Sequence, residues 1–197
     1  MNLSRFLIAG YGFKVGAAYF DGVNDYISRV GFVGAADSKS GIFSAWIRLD
    51  RENGYDQLIL GNDTISNSRF LVLWEPSGIL RITGMGTDVN EKLAIQTGGI
   101  YQSGPSFIHI LASWNLASAG SGRLYINDVT DYDEQTYTNA DIDYTPFSNA
   151  WTIGGDQGAG NKSGITIAEL YFAPGQYLDF SVTANRRKFI SPNLRPV

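Results

Sequence analysis

Few side chains in this sequence could carry a reaction. The densest acidic stretch is DYDEQ, Asp131–Gln135, within a run from Asp128 to Asp143 that holds no lysine or arginine. Two carboxylates can cleave a glycosidic bond when they flank it at a separation of roughly 5–9.5 Å. Asp131, Asp133 and Glu134 have no flanking apolar strand to hold them in such an arrangement, and a run of like charge is ordinarily solvated. A solvated loop is expected. The one histidine, His109, lies inside the apolar run FIHILASW. An imidazole there could act as a general base, but the sequence identifies no partner for it, so a structural role is expected. The chain has no cysteine, which removes disulfides, thiolate metal sites and thiol chemistry. Nothing here predicts an enzyme.

Binding chemistry has more candidates. Trp46, Trp74, Trp114 and Trp151 could present aromatic faces to a sugar, although tryptophan is usually well buried. Asp21, Asn24, Asp25 and Asp63 carry the hard oxygen donors that Ca²⁺ prefers. The same residues favour Asx turns, and no dense Asp-x-Asp loop appears, so no metal site or cofactor is predicted and calcium stays only as the candidate ion. The net charge of −4 disfavours nucleic acid, which calls for a basic face. No stretch approaches the roughly 20 apolar residues that a helix needs to span a membrane.

The elements that must position these groups are strands. Of the 197 residues, 44% are hydrophobic, 13% are aromatic and 23 are glycine, enough for one domain with a sizeable core. In FSAWIRL, Phe43, Ala45, Ile47 and Leu49 alternate with Ser44, Trp46 and Arg48, which leaves Trp46 facing outward or into a second packed layer. QLILGN, RFLVLWE, ILRITGM, KLAIQTG, FIHILASWN, GRLYINDV, WTIGGD and GITIAELYFAP follow, separated by Asn, Gly, Pro and Ser. Many short strands with turn signals between them predict an all-β sandwich or barrel. Pro76-Ser77-Gly78 and Ala119-Gly120-Ser121-Gly122 read as hairpin turns. Only LDFSVTANRRKFI, Leu178–Ile190, lacks the strand alternation. It predicts one short helix, with Ser181 as N-cap, Arg186, Arg187 and Lys188 in the last turn and Pro192 beyond its end.

Four pieces, in order, carry a family resemblance. FDGVNDYI, FSAWIRLD, HILASWNLASAGSGRLYINDV and WTIGGDQGAGNKSGITIAELYFAP resemble the laminin G-like members of the concanavalin A-like jelly-roll domains, over about Ala17 to Pro174. The last piece includes an acidic strand residue, Glu169. The resemblance implies a jelly-roll β-sandwich over 17–177, with a helix and tail over 178–197. It also implies a rim calcium in many members, and in some a Glu-x-Asp-x-x-Glu glucan-cleaving strand that DYDEQ does not match. The run AELYFAPGQYLDFSVTANRRKFISPNLRPV resembles a tail of laminin G-like proteins encoded by bacteriophages. It implies a non-enzymatic virion structural protein on the surface of a head or tail, partnered by other virion proteins or by copies of itself. A carbohydrate-binding module for a host surface glycan is the alternative.

The segment 1–16, MNLSRFLIAGYGFKVG, stands apart. Its apolar run is short, glycine-containing and interrupted by Lys14, unlike a secretory leader. Phe6, Leu7, Ile8, Tyr11 and Phe13 would be costly to leave in water, at about 25 cal/mol per Å² of apolar area. They are therefore the candidate interface with another subunit. Deleting residues 1–15 should leave a soluble, folded domain that no longer assembles, as read by thermal melting and light scattering. A truncated protein that unfolds would instead place the arm in its own core.

Overall fold

The computed structural model describes residues 16–30, 36–52, 54–62, 69–145, 150–156 and 162–197. The proposed interface residues Phe6, Leu7, Ile8, Tyr11 and Phe13 lie outside this set, as does Asp63. Strands β1 (Ala17–Asp21), β3 (Ser40–Leu49), β8 (Ile108–Asn115), β9 (Arg123–Ile126), β10 (Val129–Thr130) and β13 (Gly164–Pro174) form a six-stranded sheet in the order β1-β13-β3-β8-β9-β10. A seven-stranded sheet runs β11-β7-β6-β5-β4-β12-β2. Its strands are β2 (Ile27–Val30), β4 (Gln57–Asn62), β5 (Phe70–Trp74), β6 (Leu80–Met85), β7 (Glu91–Gln96), β11 (Asp133–Tyr137) and β12 (Ala150–Ile153). All pairings between these strands are antiparallel. This is the two-sheet sandwich that the sequence predicts.

The period-two pattern builds the core directly. Phe43, Ala45, Ile47 and Leu49 of β3 and Ile110 and Ala112 of β8 meet Phe70, Val72 and Trp74 of β5 in one buried cluster. Phe70 sits at its centre, stacked on Phe172 at 4.9 Å and on Trp114 at 5.6 Å between ring centroids. Two aromatic polar groups at the centre of the core are paired: Trp114 Nε1 donates to Tyr144 Oη at 3.0 Å, and Tyr144 Oη donates to the Ser40 carbonyl at 3.1 Å. The Pro76-Ser77-Gly78 turn closes β5 onto β6, with Gly78 at φ +86° and its N–H donating to the Glu75 carbonyl.

Two expectations are corrected. The acidic stretch is solvated, with Asp133, Glu134 and Gln135 exposed, but it is not a loop: Asp133–Tyr137 forms β11, the edge strand beside β7. Tyr132 and Tyr137 pack against the main core and hold this polar segment in place, a tertiary anchor that overrides its weak strand pattern. The C-terminal helix, α1, is confined to Thr183–Arg186, and its N-cap is Val182 rather than Ser181. The Ser181 N–H instead donates to Asp179 Oδ1 at 2.9 Å, and Asn185 Nδ2 donates to the Asp179 carbonyl at 2.9 Å. Asp179 thus organises the approach to the helix through an Asx turn.

The residues around α1 cover the outer face of the six-stranded sheet. Phe180 is wholly buried against Ile42, Leu111, Tyr125 and Ala173, and Ile190 packs on Trp46 and Ala168. The six-stranded sheet is therefore apolar on both sides.

Close packing generates a test. A Cβ added at Gly41 would overlap the indole of Trp114, whereas one at Gly104 meets open space. Gly41→Ala should destabilise the domain by roughly 1–3 kcal/mol, lowering the thermal midpoint, while Gly104→Ala leaves it nearly unchanged.

Candidate functional site

The outer face of the six-stranded sheet carries the site because of an interruption in β13. Ile165 and Ile167 point into the main core and Ala168 points outward, as alternation requires. The pairing with β3 then slips between Ala168 and Tyr171, and Glu169 adopts φ +49°. This bulge inserts one residue and reverses the parity, so that Leu170 and Phe172 pack inward and Tyr171 faces out. A left-handed backbone at a residue with a Cβ costs roughly 1–2 kcal/mol.

Between this face and the C-terminal residues lies an open cleft of about 390 Å³. Trp46 and Ser44 of β3 contribute from one side, Glu169 and Tyr171 from the bulge, and Lys188 and Phe189 from the segment after α1. Tyr171 is 41% exposed and meets Phe189 edge-on at 5.4 Å between centroids. Trp46 is only 7% exposed, and its Nε1 has no hydrogen-bond partner. Glu169 and Lys188 are both exposed, and neither side chain forms an ion pair or hydrogen bond among the described residues. An apolar, aromatic wall with two free charges of opposite sign can stack on a ring face and hydrogen-bond its polar edge. A more apolar concavity of about 490 Å³, lined by Ala18, Phe20, Ile27, Ile167 and Leu170, shares Glu169 with the cleft.

A buried pair adjoins the cleft. Ser44 Oγ lies 2.9 Å from His109 Nε2, and the imidazole stacks against Trp46 at 4.8 Å between centroids. The register pairs Trp46 with His109 across β3 and β8, so the partner that the sequence did not identify comes from the neighbouring strand. Burial pushes the imidazole down to about 4, against the opposing pull of Asp128. His109 is therefore neutral at pH 7, a weak base with Nδ1 unpartnered, and it serves the sheet.

Asp128 fixes the far wall. It accepts from Arg186 Nε at 2.6 Å and from Arg187 Nη2 at 2.7 Å, so the acidic run that lacks nearby cations in sequence gains two from α1 and the residue after it. Burial opposes the charge of Asp128, but Arg187 and Arg186 more than offset it and hold the carboxyl below its usual range. Asn127 and Asp128 both have positive φ in the turn between β9 and β10, which aims the carboxylate at the arginines.

The other candidates fall elsewhere. Trp74, Trp114 and Trp151 belong to the main core and present no face to a ligand; of the four, only Trp46 lines the cleft. Asp131 accepts from the Gly98 and Gly99 N–H groups and from Tyr101 Oη, a structural role. Asp21 Oδ1 accepts from the Val23 and Asn24 N–H groups in an Asx turn. Among the described residues no group of three or more His, Cys, Asp or Glu is placed to hold a metal ion; Asp63, one of the candidate calcium ligands, lies outside them. The sequence reading missed Tyr171, Lys188 and Phe189 as site residues; only the acidic Glu169 within strand GITIAELYFAP hinted at the bulge.

Comparisons place this geometry among known folds. The family model described as Concanavalin A-like lectin/glucanases superfamily matches residues 19–173. The structure is similar to a native heptameric SAP-like pentraxin from Limulus polyphemus (TM-score 0.55, 13% identity, covering 79% of this chain and 74% of that one). It is also similar to the botulinum neurotoxin serotype D binding domain (TM-score 0.61, 12% identity, 86% and 41% covered). A presumed carbohydrate binding protein from Bacteroides ovatus is a third (TM-score 0.63, 12% identity, 85% and 46% covered). The chain thus spans less than half the length of the latter two. Comparison with curated proteins returns no match.

His109 makes stability depend on pH. An unfolded imidazole titrates near 6.5 and the folded one near 4, so the unfolded chain binds the extra proton between these values. Stability should be full above about pH 6.5 and fall by about 3 kcal/mol as pH drops toward 4. Denaturant melts across this range should show the slope, and His109→Gln should flatten it.

Proposed function

Given that this chain belongs to the Concanavalin A-like lectin/glucanases superfamily, we propose that it is a non-enzymatic module recognising glycan through the cleft on its six-stranded sheet. The carrying observation is the cleft lining: the outward ring of Tyr171 backed by Phe189, with the free carboxylate of Glu169 and the free ammonium of Lys188 beside it. Sugar rings present apolar C–H faces and hydroxyl edges, and a concave site with aromatic walls and a few placed polar groups suits both. Most glycosidases use two side-chain carboxylates; among the side chains that line the cleft, Glu169 is the one carboxylate, which is in keeping with binding without hydrolysis. The solved relative assigned to carbohydrate binding is in keeping with this reading.

A second reading, that the module is a virion structural protein on a phage head or tail, is favoured by one sequence feature. The run Ala168–Val197 resembles the tail of phage-encoded laminin G-like proteins. The two readings separate by location and number: a decoration protein covers a particle in many copies, while a receptor-binding module sits in few copies at a tail tip. Labelling the protein in intact particles by immuno-electron microscopy distinguishes them.

A glycan array tests the first reading directly. Binding to a defined set of glycans without release of shortened products is expected, and Tyr171→Ala should weaken it about tenfold, as loss of an aromatic contact worth ~1.5 kcal/mol implies. An array with no bound glycan, or with bound glycans indifferent to Tyr171→Ala, would reject the cleft as the site.

A further inference from the structure

The two free charges of the cleft restrict what it can hold. Glu169 and Lys188 line the same small space yet do not pair with each other or with another described residue. The nearest additional cations of the same segment are not available, because Arg186 and Arg187 are both engaged by Asp128. Among the side chains that line the cleft, an anionic ligand would therefore meet one ammonium and one carboxylate, and a cationic ligand would meet the same pair with the roles reversed. Either would bring a like charge into the same small space as an unpaired ionised group, well inside the Debye length over which repulsion persists. An uncharged polyol has no such conflict. Its hydroxyls can donate to Glu169 and accept from Lys188, and hydrogen bonds to ionised groups are the stronger kind. Specificity of this form works by exclusion as well as by attraction.

Glu169 is also held where it is at a cost. Its φ of +49° is a conformation that glycine would adopt freely, and a residue kept in such a region points to a role beyond folding. The same bulge turns Tyr171 outward, so the polar and the aromatic determinants are set by one backbone feature.

On the glycan-recognition reading, we infer that this cleft selects a short, uncharged glycan unit and discriminates against uronic, sialylated and sulfated forms, with Glu169 and Lys188 as the specificity-determining pair. The cleft volume lies at the lower end of the range for small-molecule sites, which fits a short unit rather than a long chain.

Isothermal titration with the wild-type protein would use neutral gluco-, galacto- and manno-oligosaccharides and the matching oligouronates and sulfated sugars. At least one neutral series should bind tenfold or more tightly than its uronate counterpart. Glu169→Gln should weaken neutral binding by about 10–100-fold, the loss of a hydrogen bond to a charged group, while improving uronate binding, so that the preference shrinks or inverts. Lys188→Gln should weaken neutral binding and worsen uronate binding further. These opposite shifts are not what a general structural lesion produces. Glu169→Gly supplies an independent check: relief of the backbone strain should keep or raise the thermal midpoint while binding is lost. Tighter binding of the uronates or sulfated sugars would overturn the inference and leave the glycan reading intact. A neutral preference unchanged in both charge variants would overturn it as well. No binding by any series would overturn both.

Discussion

Strand β3 is buried on both faces, and most of the structure beyond the sandwich follows from that constraint. One face, Phe43, Ala45, Ile47 and Leu49, belongs to the core between the sheets. The other, Ile42 and Trp46, would face water in a simple two-layer sandwich, together with Leu111 and Tyr125 of the neighbouring strands. Apolar area left exposed costs about 25 cal/mol per Å², so this face needs a cover. Phe180, Phe189 and Ile190 provide it. A four-residue helix cannot supply its own stability, and its neighbours are fixed by tertiary anchors: the Phe180 plug, the Asp179 turn, and the clamp of Asp128 on Arg186 and Arg187. The cleft is the part of the outer face that the cover leaves open.

The bulge at Glu169 links this architecture to the cleft. An uninterrupted β13 would continue the parity of Ile165 and Ile167, directing Tyr171 into the core and Phe172 out of it. The extra residue exchanges them, placing Phe172 in the stack with Phe70 at 4.9 Å and Tyr171 on the surface. The local cost of a left-handed glutamate is offset by a better filled core on one side. On the other side it creates an aromatic wall next to a free carboxylate. A single irregularity thus serves packing and the site together, which is a common use of bulges near functional surfaces.

The fold superfamily has members described as lectins and as glucanases, and the distinction is carried by side chains rather than by the sandwich. Here two carboxylates of the acidic run serve the structure: Asp131 ties the loop at Gly98 and Gly99 to Tyr101, and Asp128 anchors the C-terminal cover. The buried histidine is likewise absorbed by the sheet through Ser44. These pairings account for chemically suggestive residues without assigning them a reaction.

The sequence by itself determined the layers and the core. The alternation in FSAWIRL and FIHILASW fixes which side chains face inward because the side-chain period of a strand is two whatever lies around it. The glycine turns then set where strands end, and four ordered motifs identify the family. The sequence also marked the C-terminal run as the one helical element. Tertiary structure alone decided the rest. DEQTY became an edge strand because Tyr132, just before it, and Tyr137, at its end, find the core. Asp128 found its cations 58 and 59 residues away, beyond the reach of any local charge count. Three of the four tryptophans went inside, and the one that borders the cleft does so because Ile190 covers only part of that face. Glu169 and Tyr171 come from β13 and are turned outward by a one-residue slip in register, while Lys188 and Phe189 come from the C-terminal segment that packs over the same face. Strand periodicity can be read along the chain, whereas a site built by long-range register and covering layers exists only once the chain has folded.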